Sequence, residues 1–202
     1  MKMAVVHTYS SAFPYHGPAI CRATKGRFNH SLIRFEFTEK KLLNGAEPGS
    51  PESRVYFESY WKKDKETGKT GVRGPIPWQD ILDWEKKRKT NKFVVQDMPF
   101  DTARVEAAYA FAMQSKGVLT YPKYQLVQNL INYYWKHSET EVTCSEWAAL
   151  CVAQATLAVS YVYILRKGYR TYDEIAPSGP KNGLYEALQK FELDRKITEG
   201  IL

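Results

Sequence analysis

The chain has 202 residues, 44% hydrophobic and 25% charged, and its 29 Lys+Arg against 22 Asp+Glu give a net charge of +7. These values describe one ordinary domain, 1–202, with a real core; they exclude a disordered tail and leave no room for two full domains. Three cysteines cannot all pair internally, so a disulfide scaffold is excluded and a reducing compartment is expected.

Met1–Lys25 mixes short apolar pieces with Pro14, Gly17 and Pro18 and reads as a short strand followed by irregular chain. Met1–Val6 has one lysine and too short an apolar stretch for a signal peptide, so a cytoplasmic location is expected. Ser31–Phe37 is rich in β-formers and predicts a strand opened by His30. Lys40–Ser53 holds Asn44-Gly45, Pro48-Gly49 and Pro51 and predicts a loop. Arg54–Trp61 alternates and predicts a second strand, antiparallel to the first; Gly71–Ile76 suits a third. Trp78–Arg88 predicts a helix with Ile81, Leu82 and Trp84 inward and a basic end that suits the macrodipole. Lys92–Gln96 predicts a strand, and Asp101–Lys116 a helix capped by Asp101 and followed by Gly117. Lys123–Trp135 is apolar and aromatic and fits either state. A long helix opens at Thr143 or Cys144 and runs to about Arg166, ended by Gly168; Tyr185–Leu193 closes the chain as a short helix. Within the long helix, Gln154, Thr156 and Ser160 disfavour a transmembrane span. Strands come early and helices late, an α+β pattern.

The chain lacks GxGxxG, GxxxxGK[ST], CxxC, HExxH and GxSxG, so no cofactor and no metal site is expected. The informative stretch is Glu141 to Cys151, in which Cys144 sits where a polar linker becomes the long helix. A helix N-terminus favours the thiolate, the nucleophilic form. The alternative for Cys144 is packing alone, and packing is the reading for Cys151 and Cys21. A nucleophilic thiol needs a base, and the histidines are His7, His16, His30 and His137. His7 and His16 fall in the irregular N-terminal part and His137 in a polar linker; His30 is held on a strand. Glu36 shares a strand face with His30 but lies roughly 20 Å along it. Glu58, on the next strand, reaches His30 in a register that pairs 30 with 58 and Ile33 with Val55.

The chain order His30, Glu58, Cys144 resembles the circularly permuted branch of the NlpC-type papain-like cysteine amidases, the YiiX/YaeF-like group. Ile20 to His30 is similar to its "I-x-x-x-T-x-G-x-x-x-H" approach, Val55-Tyr-Phe-Glu58-Ser59 to its glutamate strand, and Gly117 to Tyr121 to its "G-x-x-Y" stretch. Cys144-Ser145-Glu146 matches its "C-S-E", and Ile175-Ala-Pro177 with Gly183 to Leu188 resembles its closing segment. The likeness spans roughly residues 20–188, with a longer gap between histidine and glutamate and Gly183 where an aspartate is common.

The resemblance implies a permuted papain-like fold, an antiparallel sheet packed against a long central helix that carries the cysteine. It implies Cys144 as nucleophile, His30 as base and Glu58 as the group that orients the ring. The backbone N–H of Cys144 would help form the oxyanion hole. Tyr121 is the residue to assist there, or a core aromatic; Glu146 could bind a substrate amine or favour the helix dipole. The expected reaction is hydrolysis of an amide, a peptide or cell-wall peptide, through a thioester. Two alternatives stand beside it. The first is a lipid or acyl esterase or acyltransferase on the same fold, with Tyr121, Tyr124, Tyr133, Tyr134 and Trp135 lining an apolar groove or filling the core. The second is a non-catalytic nucleic-acid or structural binding protein; the basic residues are spread rather than clustered and no nucleic-acid motif is present, so no specific nucleic acid is expected.

Overall fold

The structure, a computed structural model, describes residues 1–11, 17–38, 45–122, 140–156, 175 and 183–198. Strand β1 (Lys2–Ser10) is buried without a break from Met3 to Thr8. It pairs antiparallel on both edges, with β2 (His30–Glu36) through Val5 and Ile33, and with β5 (Thr90–Met98) through Val5 and Gln96. A strand covered on both faces is apolar at both parities and shows no alternation. β3 (Arg54–Tyr60) pairs with β2, and β4 (Gly71–Pro77) with β3, giving a five-stranded antiparallel sheet of order β4-β3-β2-β1-β5.

One face of the sheet, with Met3, Val5, Ile33, Phe35 and Phe57, packs on α3 (Thr102–Ser115) and α4 (Cys144–Thr156). Ala108 and Ala112 of α3 and Ala148 and Ala149 of α4 are fully buried in that core. Such small side chains let the two helices come close to each other and to the sheet. The other face, with Val6, Leu32, Tyr56 and Ile76, is covered by Ile81 of α2 (Trp78–Lys87). Leu184 and Leu188 of α5 (Leu184–Thr198) complete the first core. The architecture is therefore α+β, with the cysteine on a helix laid against an antiparallel sheet. Among the described residues no helix is long and apolar enough to cross a membrane.

Several expectations change: Leu82, expected inward, is exposed, and the closing helix runs on past Leu193 to Thr198. Gly17–Thr24, read as irregular, is a helix, α1. β5 extends beyond Lys92–Gln96 at both ends. The β2–β3 register is shifted by two residues: Ile33 faces Phe57, and Phe35 faces Val55. Because side chains alternate with period two, this shift leaves every residue on its expected face and moves only its partner. Continued to the strand end, it sets Tyr60 across from His30 and Glu58 on the diagonal. Lys123–Trp135 and the stretch from 157 to Gly168 lie outside the described residues.

Candidate functional site

The diagonal is close enough for a direct contact. His30 Nε2 and Glu58 Oε2 are 2.5 Å apart. Glu58 is fully buried, and a bare carboxylate there would be costly. Two arginines offset that cost. Arg73, directly across from Glu58 on β4, donates to Oε1 from Nε at 2.9 Å and again from Nη2. Arg88, at the C-terminal end of α2, donates from Nη2 to Oε1 at 2.9 Å and from Nη1 to Oε2 at 3.2 Å. Arg88 is held in turn by Glu85 at 2.6 Å. Burial opposes ionisation of Glu58, but Arg88, Arg73 and then His30 outweigh it and hold the carboxyl well below its ordinary range. The two guanidinium groups lie 4.4 Å from the centroid of the Tyr60 ring, whose edge meets the His30 ring at 5.8 Å.

The His30 ring is also acted on by Cys144. Burial alone would lower the imidazole pKa. The Cys144 charge and hydrogen bond, followed by those of Glu58, override it and push the ring up to about 9. Cys144 is the first residue of α4 and is 5% exposed. The helix start around it is fixed by a reciprocal cap: Thr143 Oγ1 accepts from the Glu146 N–H at 3.3 Å, and the Glu146 carboxylate accepts from the Thr143 N–H. This is the capping box, and its signal, Thr143-x-x-Glu146, stands in the sequence. Ser145 Oγ donates to the Ile175 carbonyl at 2.5 Å and ties down the same turn.

The chain leading into Cys144 is anchored to the sheet edge. Val72 of β4 donates its N–H to the Leu119 carbonyl at 3.0 Å, and Val142 donates to the Thr120 carbonyl at 2.8 Å. Ser59 of β3 donates to the Val142 carbonyl at 2.8 Å. Gly71 is what allows this approach: its φ is +111°, and a Cβ there would stand 2.2 Å from the Leu119 oxygen. The segment therefore delivers Tyr121 beside the thiol. Burial, then the charges of Cys144, Glu146 and Tyr60, keep the Tyr121 hydroxyl well above its ordinary pKa, so it remains an O–H donor.

The remaining sequence candidates separate from this cluster. Glu36 takes an ion pair from Arg54 at 2.9 Å. His7, expected in irregular chain, is a fully buried residue of β1. Its Nε2 donates to Gln96 Oε1 at 2.8 Å, and its Nδ1 accepts from Ser31 Oγ at 3.0 Å. Gln96 is oriented by its own donation from Nε2 to the Tyr185 carbonyl, which fixes this tautomer of His7. Burial drives the Cys151 thiol well above its ordinary pKa and the Cys21 thiol up to about 11. His16, His137, Tyr124, Tyr133, Tyr134 and Trp135 lie outside the described residues. Sequence reasoning missed Arg73, Arg88 and Tyr60. Arg88 was visible only as part of a basic helix end, and Arg73 only as one charge on a strand. Among the described residues no group of three His, Cys, Asp or Glu is placed to hold a metal ion. No protein-family model, no curated protein and no solved structure matches the chain.

Proposed function

We propose that the protein is a cysteine hydrolase of the permuted NlpC-type papain-like class, cleaving an amide through a thioester with Cys144, His30 and Glu58. The observation that carries this reading is the His30 ring, held at 2.5 Å by the Glu58 carboxylate and raised to a pKa of about 9 by Cys144 as well. Arg73 and Arg88 already balance Glu58 and Glu85, so proton transfer from Cys144 to His30 leaves the net charge of the buried cluster unchanged.

In this mechanism the Cys144 thiolate attacks the carbonyl carbon of the substrate. The carbonyl oxygen becomes an oxyanion, faced by the backbone N–H of Cys144 at the helix start and by the Tyr121 hydroxyl. The C–N bond breaks, the His30 imidazolium gives its proton to the leaving amine, and an acyl-thioester remains on Cys144. Neutral His30 then takes a proton from water, the hydroxide attacks the thioester, and the thiolate leaves. Glu58 orients the ring throughout. Glu146 accepts the Thr143 N–H through Oε2 in the helix cap, a role that positions Cys144. An esterase or acyltransferase would follow the same steps with a different leaving group or acceptor.

The test is alkylation of the folded protein with iodoacetamide at about pH 6, where an ordinary thiol of pKa near 8.5 reacts slowly. Each cysteine is mapped by mass spectrometry, in the wild type and in His30→Ala. Fast labelling of Cys144 alone, lost in the variant, is expected. Equal, slow labelling of all three cysteines in both proteins would refute the ion pair.

A further inference from the structure

The β3–β4 loop and the face of α2 enclose a cleft of about 580 Å³ whose cationic lining the sequence does not reveal. Lys62, Lys63 and Lys65 come from the loop, and Lys87 from the last turn of α2. The buried guanidinium groups of Arg73 and Arg88 form the inner wall, beside the rings of Tyr60 and Trp84. One short loop segment, Arg73 of β4 and the end of α2 thus converge on one depression.

Two acids, Asp64 and Asp80, share the lining with four lysines and two arginines, so it stays cationic. Asp64 spends Oδ1 on the backbone N–H groups of Glu66 and Thr67, at 3.0 and 2.9 Å, and so builds the turn. Asp80 sits in the first turn of α2, where a negative charge suits the helix dipole. Lys63, Lys65 and Lys87 form no ion pair among the described residues. Three such ammonium groups facing one cleft repel one another, and a bound anion relieves that repulsion.

The chemistry of the lining selects the anion. An ammonium is a compact point charge with three donors and suits the distributed oxygens of phosphate. The guanidinium forks that prefer a planar carboxylate are already engaged with Glu58. The cleft has room for more than an inorganic ion, and the Tyr60 and Trp84 rings offer an apolar wall to whatever carries the phosphate. Tyr60 is also the ring that meets His30, so the cleft and the Cys144–His30 pair share a wall. We propose that this cleft is a phosphate-binding subsite that holds the phosphate-bearing part of the substrate while its scissile bond lies beyond Tyr60, at Cys144. The link to Cys144 rests on the cysteine-hydrolase reading; phosphate binding in the cleft does not.

The probe is inorganic pyrophosphate, titrated calorimetrically into the wild type and into a Lys63→Gln, Lys65→Gln, Lys87→Gln variant. All three lysines are exposed, so the variant should unfold at the wild-type urea midpoint. The expected result is binding that weakens with salt and falls at least about tenfold in the variant. Equal affinity in both proteins, or no binding to the wild type, overturns the subsite. Co-sedimentation with phosphatidylglycerol vesicles but not phosphatidylcholine vesicles, competed by pyrophosphate, would assign the phosphate to a lipid headgroup. Pyrophosphate binding without vesicle binding would assign it to a soluble compound. Tighter binding of oligothymidylate that grows with its length would overturn the subsite in favour of a nucleic-acid track. Iodoacetamide labelling separates the two readings. Pyrophosphate binding without a reactive Cys144 leaves the subsite and removes the hydrolase; a reactive Cys144 without pyrophosphate binding does the reverse.

Discussion

Thr143 and Glu146 each satisfy the other's backbone N–H at the start of the helix that presents Cys144. The first N–H groups of a helix have no internal partner, and here two of them are taken by side chains. Cys144 is the first residue of that helix, where a backbone N–H has no partner within the helix itself, and the same four-residue pattern fixes its position.

Thr143→Ala should cost about 1 kcal/mol, the usual loss of an N-cap hydroxyl. Glu146→Ala should cost a similar amount, and Glu146→Gln less, since an amide oxygen still accepts from the Thr143 N–H. Urea denaturation of the single and double variants measures this as a cycle. A coupling of about 0.5 kcal/mol or more between the two sites is expected. Strictly additive losses would show that the two side chains do not act as a cap.

Glu58→Gln should be far more damaging. It removes the carboxylate shared by Arg73, Arg88 and His30, leaving Arg73 and His30 without it and Arg88 with Glu85 alone. Loss of one member of a buried ion pair typically costs about 3–5 kcal/mol. The same change withdraws one of the groups that raise His30, so iodoacetamide labelling of Cys144 near pH 6 should slow. An unchanged urea midpoint would mean that the two guanidinium groups are hydrated, contrary to their burial.

How far the sequence revealed this arrangement depended on what kind of signal each residue left. Cys144 was visible because a polar linker turns there into an apolar helix, and His30 because it opens a strand. Glu58 was placed on the right face but two residues out of register, because alternation fixes parity and not offset. Arg73 and Arg88 left no signal: their partner lies across a strand pair and beyond a helix end, and such a contact has no sequence period. α1 did leave one, since Pro18 is its second residue, a position proline favours in a helix, but Gly17-Pro18 also reads as a turn. Lys62, Lys63 and Lys65 of the cleft are neighbours in the chain; what the sequence does not show is that the fold brings Lys87 to face them.

Gly71→Ala should couple the sheet edge to the site. The alanine would need a left-handed φ and would drive its Cβ into the Leu119 carbonyl and the Thr120 backbone. A loss of about 3 kcal/mol or more is expected, by the combined cost of overpacking and backbone strain. The segment that must give way carries Thr120, whose carbonyl accepts from Val142, two residues before Cys144. Cys144 labelling should therefore slow in the fraction that remains folded, followed at a urea concentration of zero. A variant with wild-type stability and labelling would show that residues 119–120 move aside freely.

His7 gives the fold its own acid sensitivity, separate from the site. Burial, aided by the nearby His30 charge and opposed by the Gln96 hydrogen bond, lowers its pKa from 6.5 to about 4. The unfolded chain therefore takes up a proton near pH 6.5, and the folded chain refuses it until about pH 4. The stabilisation is full above pH 6.5 and is lost as the pH falls toward 4, by up to about 3 kcal/mol at 1.36 kcal/mol per unit. The tautomer explains the penalty: Nδ1 accepts from Ser31, and a proton placed there would turn that acceptor into a second donor against a hydroxyl already aimed at it. Urea denaturation of wild type and His7→Gln at pH 7.5 and pH 4.5 isolates the effect, because every other titrating group is shared. The variant should lose stability at pH 7.5, where the Ser31 and Gln96 bonds are disturbed, but should lose less than the wild type between the two pH values. Equal losses over that interval would show that His7 is solvated enough to accept its proton in the folded state.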